Sequence, residues 1–234
     1  QLIMAEECYF FLMASMRKMR MNIPLSFTLE FFSDIFLAAI AENQIQEGVI
    51  ELLAYRNRDD GFSAKTPVHF YFEIRLKDEV LKISDKYELD LMKEISVNTN
   101  VLSNIKVHSP ENIYAEIYAK ENDLDDVIFL NPNKKIARTI YGNLLLLEEN
   151  TIKIPKQTEG AYISPLMENF VTFVHKNNLA TIEEAELSAF ESQKAEEILV
   201  ISDEKGIFTV SKIRNKEFGN ERYKTMLEAW KTSF

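Results

Sequence analysis

The sequence predicts an α+β protein of two domains. Apolar residues recur at helical spacing in some segments, while others are short β-rich runs bounded by turn signals. The chain has 234 residues and 46% hydrophobic content, which allows one large domain or two modest ones. The stretch 76–100 is polar and charged, as interdomain connections often are. We therefore expect an N-terminal α+β domain at 1–100 and a C-terminal β-rich domain at 101–234.

In the first part of the chain we expect two helices followed by an antiparallel pair of strands. Thr28 is a plausible N-cap for the second helix, and Asp59-Asp60-Gly61 is a turn signal between the two strands. Residues 1–5 have the composition of a short strand. The expected helices are 6–20 and 28–43, and the expected strands are 49–55 and 68–76.

After residue 100 the pattern predicts a mixture of strands and helices. Pro110 suits the first turn of a helix, where its missing N–H would have no partner anyway, and Asn131-Pro132-Asn133 indicates a turn. The expected helices are 110–121, 164–177, 182–190 and 220–232, and the expected strands are 126–130, 141–147, 151–154, 197–202 and 206–212.

Composition argues against several kinds of partner and site. The net charge of -10 disfavours nucleic acid, because phosphate binding needs a basic face. A single cysteine, Cys8, excludes an intramolecular disulfide and favours a reducing compartment, so we expect a cytoplasmic protein. The three histidines are too scattered to suggest a metal site, and no apolar run approaches the roughly 20 residues that span a bilayer. The start at Gln1 suggests a missing beginning rather than a signal peptide.

A series of short motifs occurs in one order and spacing along the chain. Each is weak alone, and the specific signal is their collinearity. The motifs are Ser103-Asn104-Ile105-Lys106, 115–122, 125–131, Gly142-Asn143-Leu144 and Thr158-Glu159-Gly160, with 9–21 before them and Ala195-Glu196-Glu197 after them.

This series resembles the class IV pyridoxal-phosphate aminotransferases, the group of branched-chain and D-amino acid aminotransferases and aminodeoxychorismate lyase. The resemblance covers essentially the whole chain, apart from the family's first strands. It implies the two-domain fold of type IV pyridoxal-phosphate enzymes, like that of D-amino acid aminotransferase. It also implies pyridoxal 5'-phosphate as cofactor, an amino acid or keto acid substrate, and a homodimer.

By this resemblance Lys106 is the catalytic lysine that forms a Schiff base with the cofactor. Such an amine must be deprotonated to attack an aldehyde, so it is usually desolvated or set beside other charges. Without the resemblance, Lys106 is one of 27 basic residues and most simply a solvated surface lysine. The role of His108, two residues later, stays open.

Several positions depart from the family pattern. Cys8 and Phe11 stand where the family has a histidine and a phosphate-binding arginine. Arg138 stands five residues before Asn143, where the family has a glutamate that pairs with the pyridine nitrogen. An arginine only donates hydrogen bonds, so it would leave that nitrogen unprotonated and weaken the electron sink.

The phosphate-binding positions are altered as well. Ser164-Pro165-Leu166-Met167 replaces a glycine-containing helix start, and Pro165 removes one of the amides that an anion there would use. The late hydroxyl pair falls on Ile201 and Ser202, of which only Ser202 could donate. The implied cofactor-binding residues are therefore Arg138, Asn143 and Ser202.

Two functions follow from these observations. The first is an enzyme that uses pyridoxal phosphate on an amino acid or an aminodeoxychorismate-type substrate through Lys106. The second is a degenerate, non-catalytic paralogue that keeps the fold and the dimer but has lost the cofactor. Cofactor absorbance of the purified protein distinguishes them.

Overall fold

The fold is given by a computed structural model, which describes residues 1–57, 63, 65–105 and 109–234. The chain divides into two compact units, Gln1–Val80 and Leu81–Phe234. The boundary predicted from the sequence lies near residue 100. The division falls about twenty residues earlier because residues 83–91 form a strand inside the sheet of the second unit.

The first unit contains two helices and a two-stranded antiparallel sheet, close to the predicted elements. Thr28 caps the second helix by accepting a hydrogen bond from the Phe31 amide at 3.1 Å. Residues 1–4 form no strand, contrary to prediction, and the turn predicted at 59–61 lies outside the described residues. The elements are α1 (Ala5–Lys18), α2 (Leu29–Glu42), β1 (Gly48–Arg56) and β2 (Val68–Leu76).

Aromatic packing holds the first unit together. Phe27, Phe32 and Val68 are buried with Met13 and Met16 of α1, so the helices cover one face of the β1–β2 sheet. The two strands pair in register from Gly48↔Leu76 to Arg56↔Val68. A two-stranded sheet is marginal by itself, and this apolar layer supplies the burial that it needs.

The second unit is built on one large sheet, whose strands lie in the order β5-β4-β3-β10-β9-β6-β7-β8, with β11 paired to β10. The pairs β10–β3, β3–β4 and β7–β8 are parallel, and the other pairs are antiparallel. The strands are β3 (Ile83–Leu91), β4 (Asp126–Leu130), β5 (Ile136–Thr139), β6 (Asn143–Glu148), β7 (Thr151–Pro155), β8 (Thr181–Ala185), β9 (Glu197–Ser202), β10 (Gly206–Ile213) and β11 (Lys216–Glu217).

Helices cover this sheet, and its central strands are buried on both faces. Along β6, Leu145 and Leu147 share a core with Phe170 of α4 and Trp230 of α6, while Leu144 and Leu146 belong to a different apolar cluster. This division follows from the alternation of side chains along a strand. The helices are α3 (Pro110–Glu121), α4 (Pro165–Lys176), α5 (Ala189–Ser192) and α6 (Glu221–Lys231), with a 3-10 turn at Gln157–Glu159.

Four strands of the second unit differ from the sequence prediction: β3, β5, β8 and the two-residue β11. The predicted helix at 182–190 is wrong, because residues 181–185 pair in parallel with β7 and only Ala189–Ser192 is helical. Pairing to a neighbouring strand here overrides the helix propensity of the glutamates. Strands β3 and β5 were not predicted; β3 alternates charged residues with the buried Tyr87, Leu89 and Leu91.

Within the described ranges, no helix combines the length and the apolar character that crossing a membrane requires.

Candidate functional site

The segments on either side of Lys106 are fixed in the second unit. Lys106 itself and His108 lie outside the described residues. Before them, Asn104 Oδ1 accepts a hydrogen bond from the Ile163 amide at 2.5 Å. After them, the Ser109 side chain caps α3 by accepting from the Asn112 amide at 3.3 Å. Asn104 and Ser109, which flank Lys106 in the sequence, are therefore both held by hydrogen bonds.

Arg138 lies on β5 with its guanidinium held in place by several contacts. Its Nη1 donates to the carbonyl oxygens of Thr139 at 2.8 Å and Ile140 at 3.3 Å. Its Nη2 donates to Asn112 Oδ1 at 2.8 Å, and the group lies 4.8 Å from the centre of the Phe129 ring. Arg138 is thereby connected to α3, the helix that begins shortly after Lys106.

A buried carboxylate that was not predicted from the sequence, Asp126, lies close to Arg138 and the turn that follows it. Asp126 is 0% exposed, and its Oδ1 accepts from the amides of Val127 at 2.7 Å and Ile140 at 2.9 Å. Its Oδ2 accepts from the Tyr87 hydroxyl at 3.1 Å. Burial raises the pKa of Asp126 to about 6, although these hydrogen bonds act in the opposite direction. Burial also lowers the pKa of Arg138, against the attraction of Asp126.

The turn between β5 and β6 runs very close to β9. The Gly142 amide donates to Thr139 Oγ1 at 3.0 Å, and the Thr139 amide donates to the Gly142 carbonyl at 3.1 Å. A Cβ on Gly142 would lie only 2.3 Å from the Ile201 carbonyl oxygen and 3.2 Å from Ser202 Cα. Only glycine allows this approach, which brings the turn beside the end of β9.

Asn143 links this turn to the start of α4. Its Nδ2 donates to Ser164 Oγ at 3.3 Å, and its buried Oδ1 has no hydrogen-bond partner among the described residues. Ser164 is the N-cap of α4 and accepts from the Met167 amide at 3.3 Å, while Pro165 has no amide hydrogen. In the first turn of α4, the amide that remains available to bind an anion is therefore that of Leu166.

The Ser202 side chain already makes three hydrogen bonds within the protein. It donates to the Tyr141 carbonyl at 2.8 Å and accepts from the amides of Glu204 at 3.3 Å and Lys205 at 3.0 Å. A hydroxyl has a single hydrogen to donate, so Ser202 can donate to a phosphate only by releasing Tyr141. In this conformation it stabilises the turn between β9 and β10.

The structure brings together the three described residues that the sequence assigned to the cofactor. All three lie at the 139–143 turn. Arg138 donates to the Thr139 carbonyl and Ser202 to the Tyr141 carbonyl, while Asn143 pairs with Ile201 of β9. Cys8 and Phe11 lie on α1, in the first unit. Within the described ranges, no group of three or more His, Cys, Asp or Glu side chains could hold a metal ion.

The donors in this corner fit the pyridine ring of pyridoxal phosphate better than its phosphate. A guanidinium can donate to an unprotonated ring nitrogen, and Arg138 has five donor hydrogens, three of them used in the bonds above. For the phosphate, the Ser202 hydrogen is engaged and Pro165 has none to give.

Comparisons with known proteins agree with this architecture. The structure superposes on a proposed 4-amino-4-deoxychorismate lyase from Legionella pneumophila with a TM-score of 0.86 and 16% identity, covering 98% of this chain and 85% of that one. A branched-chain amino acid aminotransferase from Thermobaculum terrenum, in its pyridoxal-phosphate form, gives 0.84 and 17% over 98% and 77%. The branched-chain enzyme of Escherichia coli gives 0.85 and 14% over 97% and 78%.

These superpositions establish the fold, which is that of the type IV pyridoxal-phosphate enzymes, as predicted. A search of curated proteins gave no significant match. The family model for class IV aminotransferases matches residues 12–213, which is most of the chain. On this match, the chain belongs to the class IV aminotransferase family.

Proposed function

We propose that this protein binds pyridoxal phosphate in its second unit, with Lys106 as the amine that bonds the cofactor. Its substrate is an amino acid, a keto acid or an aminodeoxychorismate-type compound. Family membership supports this proposal, as does the pyridoxal-phosphate form of the Thermobaculum enzyme with the same fold. The observation that carries it is the hydrogen bond from Arg138, the residue that we assign to the ring nitrogen, to Asn112 on the helix following Lys106.

When bound, the cofactor supplies an electron sink for bonds at the substrate α-carbon. Arg138 would donate a hydrogen bond to the ring nitrogen and leave it unprotonated, so the sink would be weaker than beside a carboxylate. Asn112 and the carbonyls of residues 139 and 140 hold the guanidinium in place. Lys106 Nζ carries the proton that moves to and from the substrate. These roles restrict the chemistry to reactions that do not need a fully protonated ring.

Cofactor affinity tests the proposal, because few phosphate donors remain. We expect that pyridoxal, which lacks the phosphate, binds within about tenfold of pyridoxal phosphate, because the phosphate gains little more than one hydrogen bond. Titration followed by visible absorbance measures both affinities. The Lys106→Ala variant should leave the cofactor with the absorbance spectrum it has when free, whereas Lys176→Ala, a change at the far end of α4, should behave like the wild type.

A protein that is colourless after incubation with excess pyridoxal phosphate and dialysis would exclude this function. The second candidate, a non-catalytic member of the family, would then hold. Two observations favour that alternative: the Ser202 hydroxyl is already engaged within the fold, and Pro165 offers no amide to a phosphate.

Two further parts of the proposal concern the protein's surroundings. We propose a homodimer in the cytoplasm, on the basis of the family and of the single cysteine. Sedimentation equilibrium should give twice the mass of one chain. A monomer at micromolar concentration would contradict the homodimer.

A further inference from the structure

A cleft in the second unit is separate from Arg138, Asn143 and Ser202, none of which lines it. Its volume is about 340 Å³, within the range of small-molecule sites. It is lined by the loop 91–96, by Leu130, Asn131 and Lys134, and by Arg214.

The cleft lies where three neighbouring parallel strands end. Strands β10, β3 and β4 run in the same direction and are adjacent in the sheet. Arg214 directly follows β10, Met92 directly follows β3, and Asn131 directly follows β4. The crevice beyond the carboxyl ends of parallel strands is where open sheets commonly bind ligands.

The cleft has a positive lining in a protein whose net charge is -10. It contains Lys93, Lys134 and Arg214 against one acid, Glu94, whose carboxylate accepts a hydrogen bond from the Tyr114 hydroxyl. No ion pair joins Lys93 or Lys134 to any residue in the described part of the chain. These two ammonium groups are available to a ligand.

Arg214 is positioned by an acid outside the cleft lining. Its Nε donates to Asp90 Oδ1 at 2.6 Å, which fixes the guanidinium and leaves its Nη atoms free of that contact. A guanidinium held in this way is well suited to a planar or tetrahedral anion.

The loop 93–96 adds backbone donors. It is anchored on both sides, by Met92 N donating to Ile128 O at 2.9 Å and by Val97 N donating to Leu130 O at 3.1 Å. Between these anchors, the amides of residues 93 to 96 have no protein acceptor among the residues that the structure describes. Cations and free amides together are the donor set that oxyanions bind.

We propose that this cleft binds a small carboxylate or phosphate anion, a binding site additional to the proposed cofactor function. Lys93, Lys134 and Arg214 supply the charge, and the 93–96 loop supplies amide donors. The volume accommodates a compact metabolite.

Titration by ¹⁵N NMR tests the site, with inorganic phosphate and succinate as separate probes. We expect saturable shifts of the amide signals of residues 93–96 with at least one probe; the stronger probe identifies the anion class. Lys134→Ala should weaken binding about tenfold, the order of one charge-assisted contact, whereas Lys176→Ala, which removes the same charge elsewhere, should leave binding unchanged. Both lysines are exposed, so both variants should fold.

Absence of saturable shifts with both probes would overturn the proposal. Equal weakening by Lys134→Ala and Lys176→Ala would overturn it too, because it would show attraction by overall charge alone. A response at the 139–143 turn without one at 93–96 would place the anion elsewhere and refute the cleft. None of these outcomes depends on whether pyridoxal phosphate binds.

Discussion

Replacement of Gly142 by alanine should destabilise the second unit more than any ordinary surface mutation. The new Cβ would lie 2.3 Å from the Ile201 carbonyl oxygen and 2.8 Å from its carbon. These are backbone atoms of β9, which is paired on both sides and cannot shift without disturbing β6 and β10. Overpacking of this kind costs about 1–3 kcal/mol, and we expect the upper end because backbone is the obstacle.

A cost of about 3 kcal/mol should lower the melting temperature by about 6–12 °C for a unit of this size. Thermal unfolding followed by circular dichroism measures the change. Gly219→Ala is the matched control, because its Cβ would meet nothing closer than 3.6 Å and should change stability by less than about 0.5 kcal/mol. Equal melting temperatures for the two variants would refute the close approach of the 139–143 turn to β9.

Two further predictions concern buried carboxylates, and each compares a variant with the wild type. Burial raises the pKa of Asp126 from 3.8 to about 6, so its protonation stabilises the fold fully below pH 3.8, and this contribution is lost as pH rises through 6. Asp126→Asn should remove this dependence on pH. The free energy of unfolding of the variant minus that of the wild type should therefore be about 3 kcal/mol higher at pH 8 than at pH 3.5. Urea unfolding at both pH values measures this difference, and a difference that is the same at both would contradict the prediction. Glu197 accepts from the amides of Arg222 at 2.9 Å and Tyr223 at 2.8 Å at the start of α6, so Glu197→Ala should cost about 2 kcal/mol. The exposed Glu228→Ala is its control, and equal urea midpoints for the two would show that the cap contributes nothing.

Local patterns were sufficient to predict most helices and the central strands. Pro110 and Ser164 begin helices because their preferences are satisfied by neighbours within four residues. The buried runs at 126–130 and 197–202 each contain four consecutive apolar residues, so their strand character is evident without distant pairing. These elements carry their signal in adjacent residues.

The elements that were missed depend on distant partners. The sequence of β8 contains two glutamates, which favour a helix, and its strand conformation depends on pairing with β7. The cap of α6 is another such case, because Glu197 reaches it from β9 and no residue next to Asn220 indicates it.

The candidate site was partly predictable. The collinear motifs predicted that Arg138, Asn143 and Ser202 belong to one site, and in the structure they lie at one turn. The motifs did not indicate that the Ser202 hydroxyl donates to the Tyr141 carbonyl. Asp126 gave a weak signal, an acid opening a wholly buried strand, which is itself a reason to expect a hydrogen-bonded carboxylate. The cleft beside Arg214 depends on the order of three strands and has no motif in the sequence.

Mapping the site of cofactor attachment tests the proposed function most directly. The protein is incubated with pyridoxal phosphate, the lysine–cofactor bond is made permanent with borohydride, and the peptides are identified by mass spectrometry. We predict a single modified lysine, Lys106, at near-complete occupancy. Labelling spread over exposed lysines such as Lys93 and Lys134, with Lys106 unmodified, would contradict the assignment of Lys106 as the reactive amine.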